Sequence, residues 1–192
     1  TVAYTLARKA GENAGKYKIT VTGEENQGNY KVTYTPGTFE ITPKSIIPDG
    51  PKTPEEKKTG ITVTAPEGSK YDGEEHKNKP TVTDTKTGKT LTEETDYTLT
   101  YSEDVTNAGK ATVTVTGIGN YGGTVNKEFE ITSKKLTKPT LSGSYTYNGT
   151  LQTATLSAEY DSLTMTASNN TRTDAGSQKI KVELKDKTNY AW

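Results

Sequence analysis

Three stretches of this chain carry one pattern. "NAGKYKITVTGEENQGNY" from Asn13, "NAGKATVTVTGIGNY" from Asn107 and "DAGSQKIKVELKDKTNY" from Asp174 open on Asn/Asp-Ala-Gly and end on Asn-Tyr. Aligned on Gly15, Gly109 and Gly176, they place Tyr17, Ile19 and Val21 over Ala111, Val113 and Val115, and over Gln178, Ile180 and Val182. Lys and Thr fill most positions between. A period of two marks a strand with one buried face, because successive side chains point to opposite sides. Phase kept across three copies makes the chain all-β and repetitive, and repeats must be found before domains are counted.

Each strand runs into a turn rich in Gly and Asn, where Asn29-Tyr30, Asn120-Tyr121 and Asn189-Tyr190 recur. A further strand follows in the first two copies, within "TFEITPK" and "EFEITSK", with Phe39, Ile41, Phe129 and Ile131 in the inward phase. The first copy holds an additional residue before its Phe, which Pro36-Gly37 absorbs as a bulge or turn. The third copy reaches Trp192 before any such strand. Upstream, "DYTLTY" alternates Tyr97, Leu99 and Tyr101, and "SLTMTAS" alternates Leu163, Met165 and Ala167; "VAYTLAR" is the same element in the first copy. "KYDGEEHKNKPTVT" and "TYNGTLQTATLS" each set Tyr-Asx-Gly, a turn signal, ahead of a strand. No stretch holds a helical period over three turns.

Composition decides whether such strands fold. Hydrophobic residues make up only 29% of the 192, which is low enough to raise disorder, but the formal net charge is +0 and disorder also wants a large net charge. The 12 Tyr and the many Thr, both strand formers, supply the missing apolar surface. Balanced charge gives no long-range field for nucleic acid or anionic membrane. There is no Cys, so no disulfide staples the thin cores. No segment has the apolar length of a membrane-spanning helix, and no signal peptide opens the chain, which begins and ends inside repeats and reads as a fragment.

The copies are unevenly spaced, and the surplus is largely "SIIPDGPKTPEEKKTG", dominated by Pro, Gly and charge. The expected organisation is a partial module at 1–44, a linker at 45–60, a complete module at 61–134, and a module at 135–192 lacking its last strand.

Asn13, Gly15 and Tyr17 match a corner of immunoglobulin-type sandwiches, where a Tyr hydroxyl ties back to the backbone. Ala111 and Gln178 stand at the Tyr position in the other copies. "YDGEEHKNKPTVTDTKTGKTL", "DYTLTYSEDVTNAGKATVTVTGIGNY" and the "FEIT" strand resemble the YDG/MBG-type and related bacterial Ig-like repeats of Gram-positive and gut-bacterial surface proteins. The resemblance covers nearly the whole chain apart from the linker. It implies small tandem β-sandwich modules, with a β-grasp-like module as the alternative, in an extracellular adhesin-like stalk on the bacterial cell wall.

The residues that could carry chemistry have plainer readings. His76, the only histidine, follows "YDGEE" with no Cys or second His to join it and reads as an exposed loop residue. Carboxylate pairs occur at Glu24-Glu25, Glu55-Glu56, Glu74-Glu75, Glu93-Glu94 and Glu103-Asp104, but in Gly- and Thr-rich turns, and adjacent strand residues face opposite ways. Asp49, Glu55 and Glu56 lie in the linker, where loop oxygens in extracellular modules can hold calcium, yet no Asp-x-Asp-x-Asp-Gly loop is present. The Gly117–Gly123 run lacks the Gly-Lys-Ser/Thr ending of a phosphate loop. Tyr30, Tyr121 and Tyr190 could stack on a sugar, or pack over their own hairpins. Asn148 and Asn169 sit in glycosylation-type triplets read as coincidence. Lys and Asn would permit an intramolecular isopeptide bond, but no signature singles out a pair.

No catalytic, cofactor-binding or metal-binding residue is therefore assigned, and no cofactor is expected. The expected function is a structural and adhesive repeat acting as a stalk or spacer, partnered by neighbouring repeats. The second reading is a module that binds host glycans or extracellular proteins through its loops, Lys86 to Glu94 or Glu24 to Gly28. An enzyme is the third.

Overall fold

In the computed structural model the described residues are 1–51 and 53–192; the side chain of Glu56 also lies outside the description. Among them the secondary structure is β, apart from one short 3-10 turn at Glu55–Lys57. The strand pair read from the repeats is present three times in corresponding registers. Leu6 faces Val21 across the antiparallel pair Thr5–Arg8 and Gly15–Thr22. Leu99 faces Val115 across Tyr97–Tyr101 and Gly109–Gly117. Ala167 faces Val182 across Met165–Ser168 and Lys181–Leu184. In the third copy the register puts Met165, not Leu163, opposite the strand end; Leu163 is 84% exposed in a turn closed by the Asp161 carboxylate, which accepts its N–H at 2.9 Å.

The chain divides into two compact units that cut across the sequence copies. The first comprises residues 1–66, 79–101 and 112–127. Its main core lies between a three-stranded sheet, in the order Lys89–Thr90, Thr81–Asp84, Ile61–Thr64, and the Tyr97–Tyr101 and Gly109–Gly117 strands. Ile61, Val63, Val82, Leu91, Tyr97 and Val115 bury one another there, with Leu99, Tyr121 and Val125 packed against them. Ile46, within the stretch expected to be a linker, is fully buried in the same cluster. Asp49 closes the segment that follows: its carboxylate accepts the N–H groups of Thr59 and Gly60, both at 2.8 Å. The Thr5–Arg8, Gly15–Thr22 and Gly37–Ile41 strands form a separate three-stranded sheet in which Tyr17, Ile19, Val21 and Ile41 are half-buried and Leu6 and Phe39 are exposed.

The second unit comprises residues 67–78, 102–111 and 128–192. Ala111, Phe129, Ile131 and Val105 are buried in it, as are Met165 and Leu184 in the third copy. The Thr124–Thr132 strand, which runs through both units, here pairs in parallel with Ser69–Lys70, Ile131 opposite Ser69 and Thr132 opposite Lys70. Gly68 permits that approach, since a Cβ on it would lie 2.7 Å from the Glu130 carbonyl oxygen. Residues 141–150 are exposed throughout.

Candidate functional site: two Asn-clamped joints

The Asn-Tyr turn of the second copy returns to the Asn-Ala-Gly corner of the first. Asn120 accepts the Ala14 N–H on its Oδ1 at 2.7 Å and donates its Nδ2 to Asn13 Oδ1 at 3.0 Å. The backbone beside it pairs in parallel with the exit strand of the first copy, Tyr121 opposite Lys44 and Gly122 opposite Ser45. The Lys44 N–H donates to the Asn120 carbonyl and the Ile46 N–H to the Gly122 carbonyl, each at 2.9 Å.

The third copy does the same to the second. Asn189 accepts the Ala108 N–H at 2.7 Å and donates to Asn107 Oδ1 at 2.8 Å. Tyr190 and Ala191 pair in parallel with Lys134 and Lys135. The Lys134 N–H donates to the Asn189 carbonyl and the Leu136 N–H to the Ala191 carbonyl, both at 2.8 Å. Two joints thus share one hydrogen-bond scheme. An amide suits it, because its oxygen accepts from a backbone N–H while its NH2 donates to an acceptor at once.

Each joint has its own reinforcement. At the first, Lys44 Nζ donates to the buried Asp84 carboxylate at 2.6 Å, and Asp84 also accepts the Lys86 N–H at 3.1 Å. Burial raises the Asp84 pKa, but the Lys44 cation and the Lys86 N–H outweigh it and hold the carboxyl below its ordinary value. At the second, Asp186 braces Asn189 by accepting its backbone N–H at 3.0 Å and its Nδ2 at 2.8 Å. Tyr190 meets the ring of Tyr71 edge-on, centroids 5.5 Å apart at 83°.

The residues singled out from the sequence scatter. His76 is half-buried, not exposed: its N–H donates to the Val105 carbonyl at 2.8 Å, and its Nε2 lies 3.1 Å from the Asp72 carboxylate, without the alignment of a hydrogen bond. The Asp72 carboxyl is held below its ordinary value, first by the Glu74 N–H. Of the carboxylate pairs, Glu93 is half-buried and ion-paired with Lys79 at 2.6 Å, while Glu24, Glu25, Glu74, Glu75, Glu94, Glu103 and Asp104 are exposed. Glu55 is exposed and bonded to Lys58, and the Glu56 side chain lies outside the described residues. Among the described residues no three His, Asp or Glu side chains converge. The three tyrosines part company: Tyr30 is 68% exposed, Tyr121 packs on the core with Lys89 Nζ 5.8 Å from its ring centroid, and Tyr190 meets Tyr71. Tyr17 makes the corner tie, donating to the Asn13 carbonyl at 2.6 Å.

The joints lay outside the sequence reading. Asn120 and Asn189 were visible as turn residues, and turn chemistry accounts for them locally. Their partners lie at unequal distances along the chain, so no fixed spacing announces the pairing.

Residues 1–40 match the family model of the MBG domain, YGX type. This supports an MBG-type repeat over the first copy, and the register shared by the three strand pairs fits a repetitive all-β chain. No curated protein and no solved structure matches the chain.

Proposed function

We propose that the chain is a structural repeat segment of a bacterial cell-surface protein, a run of tandem Ig-like β modules serving as a stalk or spacer. One observation carries this reading: the same clamp is built at both joints, an Asn from each following copy holding the Asn-Ala corner of the preceding one. Repeats that contact only their neighbours draw stability from each unit plus its interfaces, and a fixed joint converts a flexible string into a stiffer array. The segment between the first two copies serves stiffness as well, because Ile46 and Asp49 tie it down.

The reading is of a non-catalytic, extracellular chain whose immediate partners are neighbouring repeats. Pulling the full chain between its ends tests it. The stalk reading predicts that Asn189→Ala lowers the force at which the structure first gives way, with the secondary-structure spectrum intact. A glycan and matrix-protein array probed with the full chain tests the alternative. Saturable binding abolished by substitutions in 86–94 or 24–28 would replace the spacer with a ligand-binding module.

A further inference from the structure

We propose that the second joint is made by one docking element meeting a second copy of itself: Asp-x-Thr-Asn at 104–107 receives Asp-x-Thr-Asn at 186–189, with Asp104 and Asp186 as the positioning residues. The sequence holds this motif twice, and it folds the same way both times. Asp104 Oδ1 accepts the N–H groups of Thr106 and Asn107, each at 3.0 Å, and its Oδ2 accepts Asn107 Nδ2 at 2.9 Å. Asp186 Oδ1 accepts those of Thr188 and Asn189 at 2.9 and 3.0 Å, and its Oδ2 accepts Asn189 Nδ2 at 2.8 Å. The second motif position does not define the element, since Val105 is buried and Lys187 is exposed. What recurs is a carboxylate that closes the turn with one oxygen and holds the asparagine side chain with the other.

The two held side chains face each other. Asn189 Nδ2 donates to Asp186 and also to Asn107 Oδ1 at 2.8 Å, and Asn189 Oδ1 accepts the Ala108 N–H at 2.7 Å. Asp104, Asn107, Asn189 and Asp186 thus form one unbroken run of hydrogen bonds. A carboxamide turned by 180° exchanges its oxygen and its NH2, and a turned Asn107 would set NH2 against NH2 at the centre of that run. An ionised carboxylate only accepts, so Asp104 selects the orientation in which Asn107 Oδ1 faces the partner, and Asp186 selects the one in which Asn189 Oδ1 faces the Ala108 N–H. Donation to a carboxylate also polarises the amide and strengthens its oxygen as an acceptor. Both carboxyls are held below their ordinary values, Asp104 first by the Asn107 N–H and Asp186 first by the Asn189 N–H.

The first joint is the internal comparison. It makes the same two side-chain bonds without the motif: Ala10 stands three residues before Asn13 and Gly117 three before Asn120. Lys44 and Asp84 reinforce it instead. Its clamping amide, Asn120, is exposed, whereas Asn189 is buried. Bracing goes with the buried clamp, where a turned amide would leave polar atoms unpaired and out of reach of water. The partner that the 104–107 corner fits is therefore a turn whose Asn is fixed by its own Asp, not any Asn-Tyr turn.

The test is a double-variant cycle in the isotope-labelled full chain, read by amide exchange. Replacing Asp by Asn keeps an oxygen for the N–H groups of the turn but sets a donor against the asparagine NH2 that the carboxylate held. Asp104→Asn and Asp186→Asn should each quicken exchange ~10-fold at Ala108, Lys134 and Leu136, and leave Ala14, Lys44 and Ile46 at the first joint unchanged. The double variant should exchange about as fast as either single one, because both substitutions open the same clamp. Turns that serve only themselves would leave Lys134 and Leu136 slow in Asp104→Asn, or would multiply to ~100-fold in the double variant, and either result overturns the proposal. A variant can lose its fold, so the unmodified chain supplies a second measurement. There the side-chain NH2 groups of Asn107 and Asn189 should exchange more slowly than a free carboxamide, and free exchange at both would overturn the proposal as well. The proposal rests on the joint that carries the stalk reading, yet the two fail separately: coupling is read by exchange at the joint, and the stalk by the force at which the chain gives way.

Discussion

At the scale of single residues, Asn120 and Asn189 make the same two side-chain bonds from different depths. Asn120 is exposed, so water replaces what its removal deletes, and Asn120→Ala should cost about 1 kcal/mol. Asn189 is buried and braced by Asp186, so its loss strands buried partners, and Asn189→Ala should cost about 2 kcal/mol. Denaturant titration of the two variants checks the order. The ion pairs set a pH response. Asp84 and Asp96 are buried carboxyls whose pKa values are lowered despite burial, Asp84 by Lys44 and Asp96 by Lys89 and the Thr92 N–H. A carboxyl whose folded pKa lies below its unfolded value adds stability present above the unfolded pKa, near 4, and lost as pH falls through the folded one. Stability should therefore hold from neutral pH to about 4 and drop below it. Asp84→Asn should flatten that drop while lowering stability at pH 7; an unchanged acid limb would remove Asp84 from the account.

At the scale of elements, the same strand meets different surroundings in different copies. Val113 and Val115 are fully buried, Val115 in the cluster with Ile61, Val63 and Val82, while Ile19 and Val21 at equivalent positions are half-buried. Phe129 is 5% exposed and its counterpart Phe39 is 43% exposed. Val113→Ala should thus cost about 2 kcal/mol and Ile19→Ala about 1 kcal/mol, although the second deletes more side chain. Glycines separate in the same way. Gly68→Ala drives a Cβ against the Glu130 carbonyl and should destabilise by about 2 kcal/mol. Gly37→Ala meets only ordinary contact, 3.6 Å from Ile19 Cβ, and should be neutral or mildly stabilising. Thermal melts of the four variants compare directly. Period-two alternation made these strands legible, because it reports which face is buried whatever covers it. The cover itself was not legible, and neither was Leu163, whose apolar side chain fits the alternation but is held out of the strand by the Asp161 turn.

At the scale of the whole molecule, the recurrence of one hairpin was plain in the sequence, and so was the all-β class. The stretch from Ser45 to Gly60, expected as a linker, is tied down at two points. Pro, Gly and charge mark chain that makes no regular sheet, yet one Ile46 buried in the core and one Asp49 carboxylate holding two N–H groups suffice to anchor it. Joints are harder still to foresee, because they join residues far apart in the chain through amides that local turn chemistry already explains. The most direct measurement of the clamp is amide hydrogen exchange on the full chain and on Asn120→Ala. The account predicts slow exchange at Ala14, Lys44, Ile46, Ala108, Lys134 and Leu136. In the variant, exchange should quicken ~10-fold at Ala14, Lys44 and Ile46 only, the worth of about one lost hydrogen bond. Free-loop exchange at these six amides in the unmodified chain would contradict it.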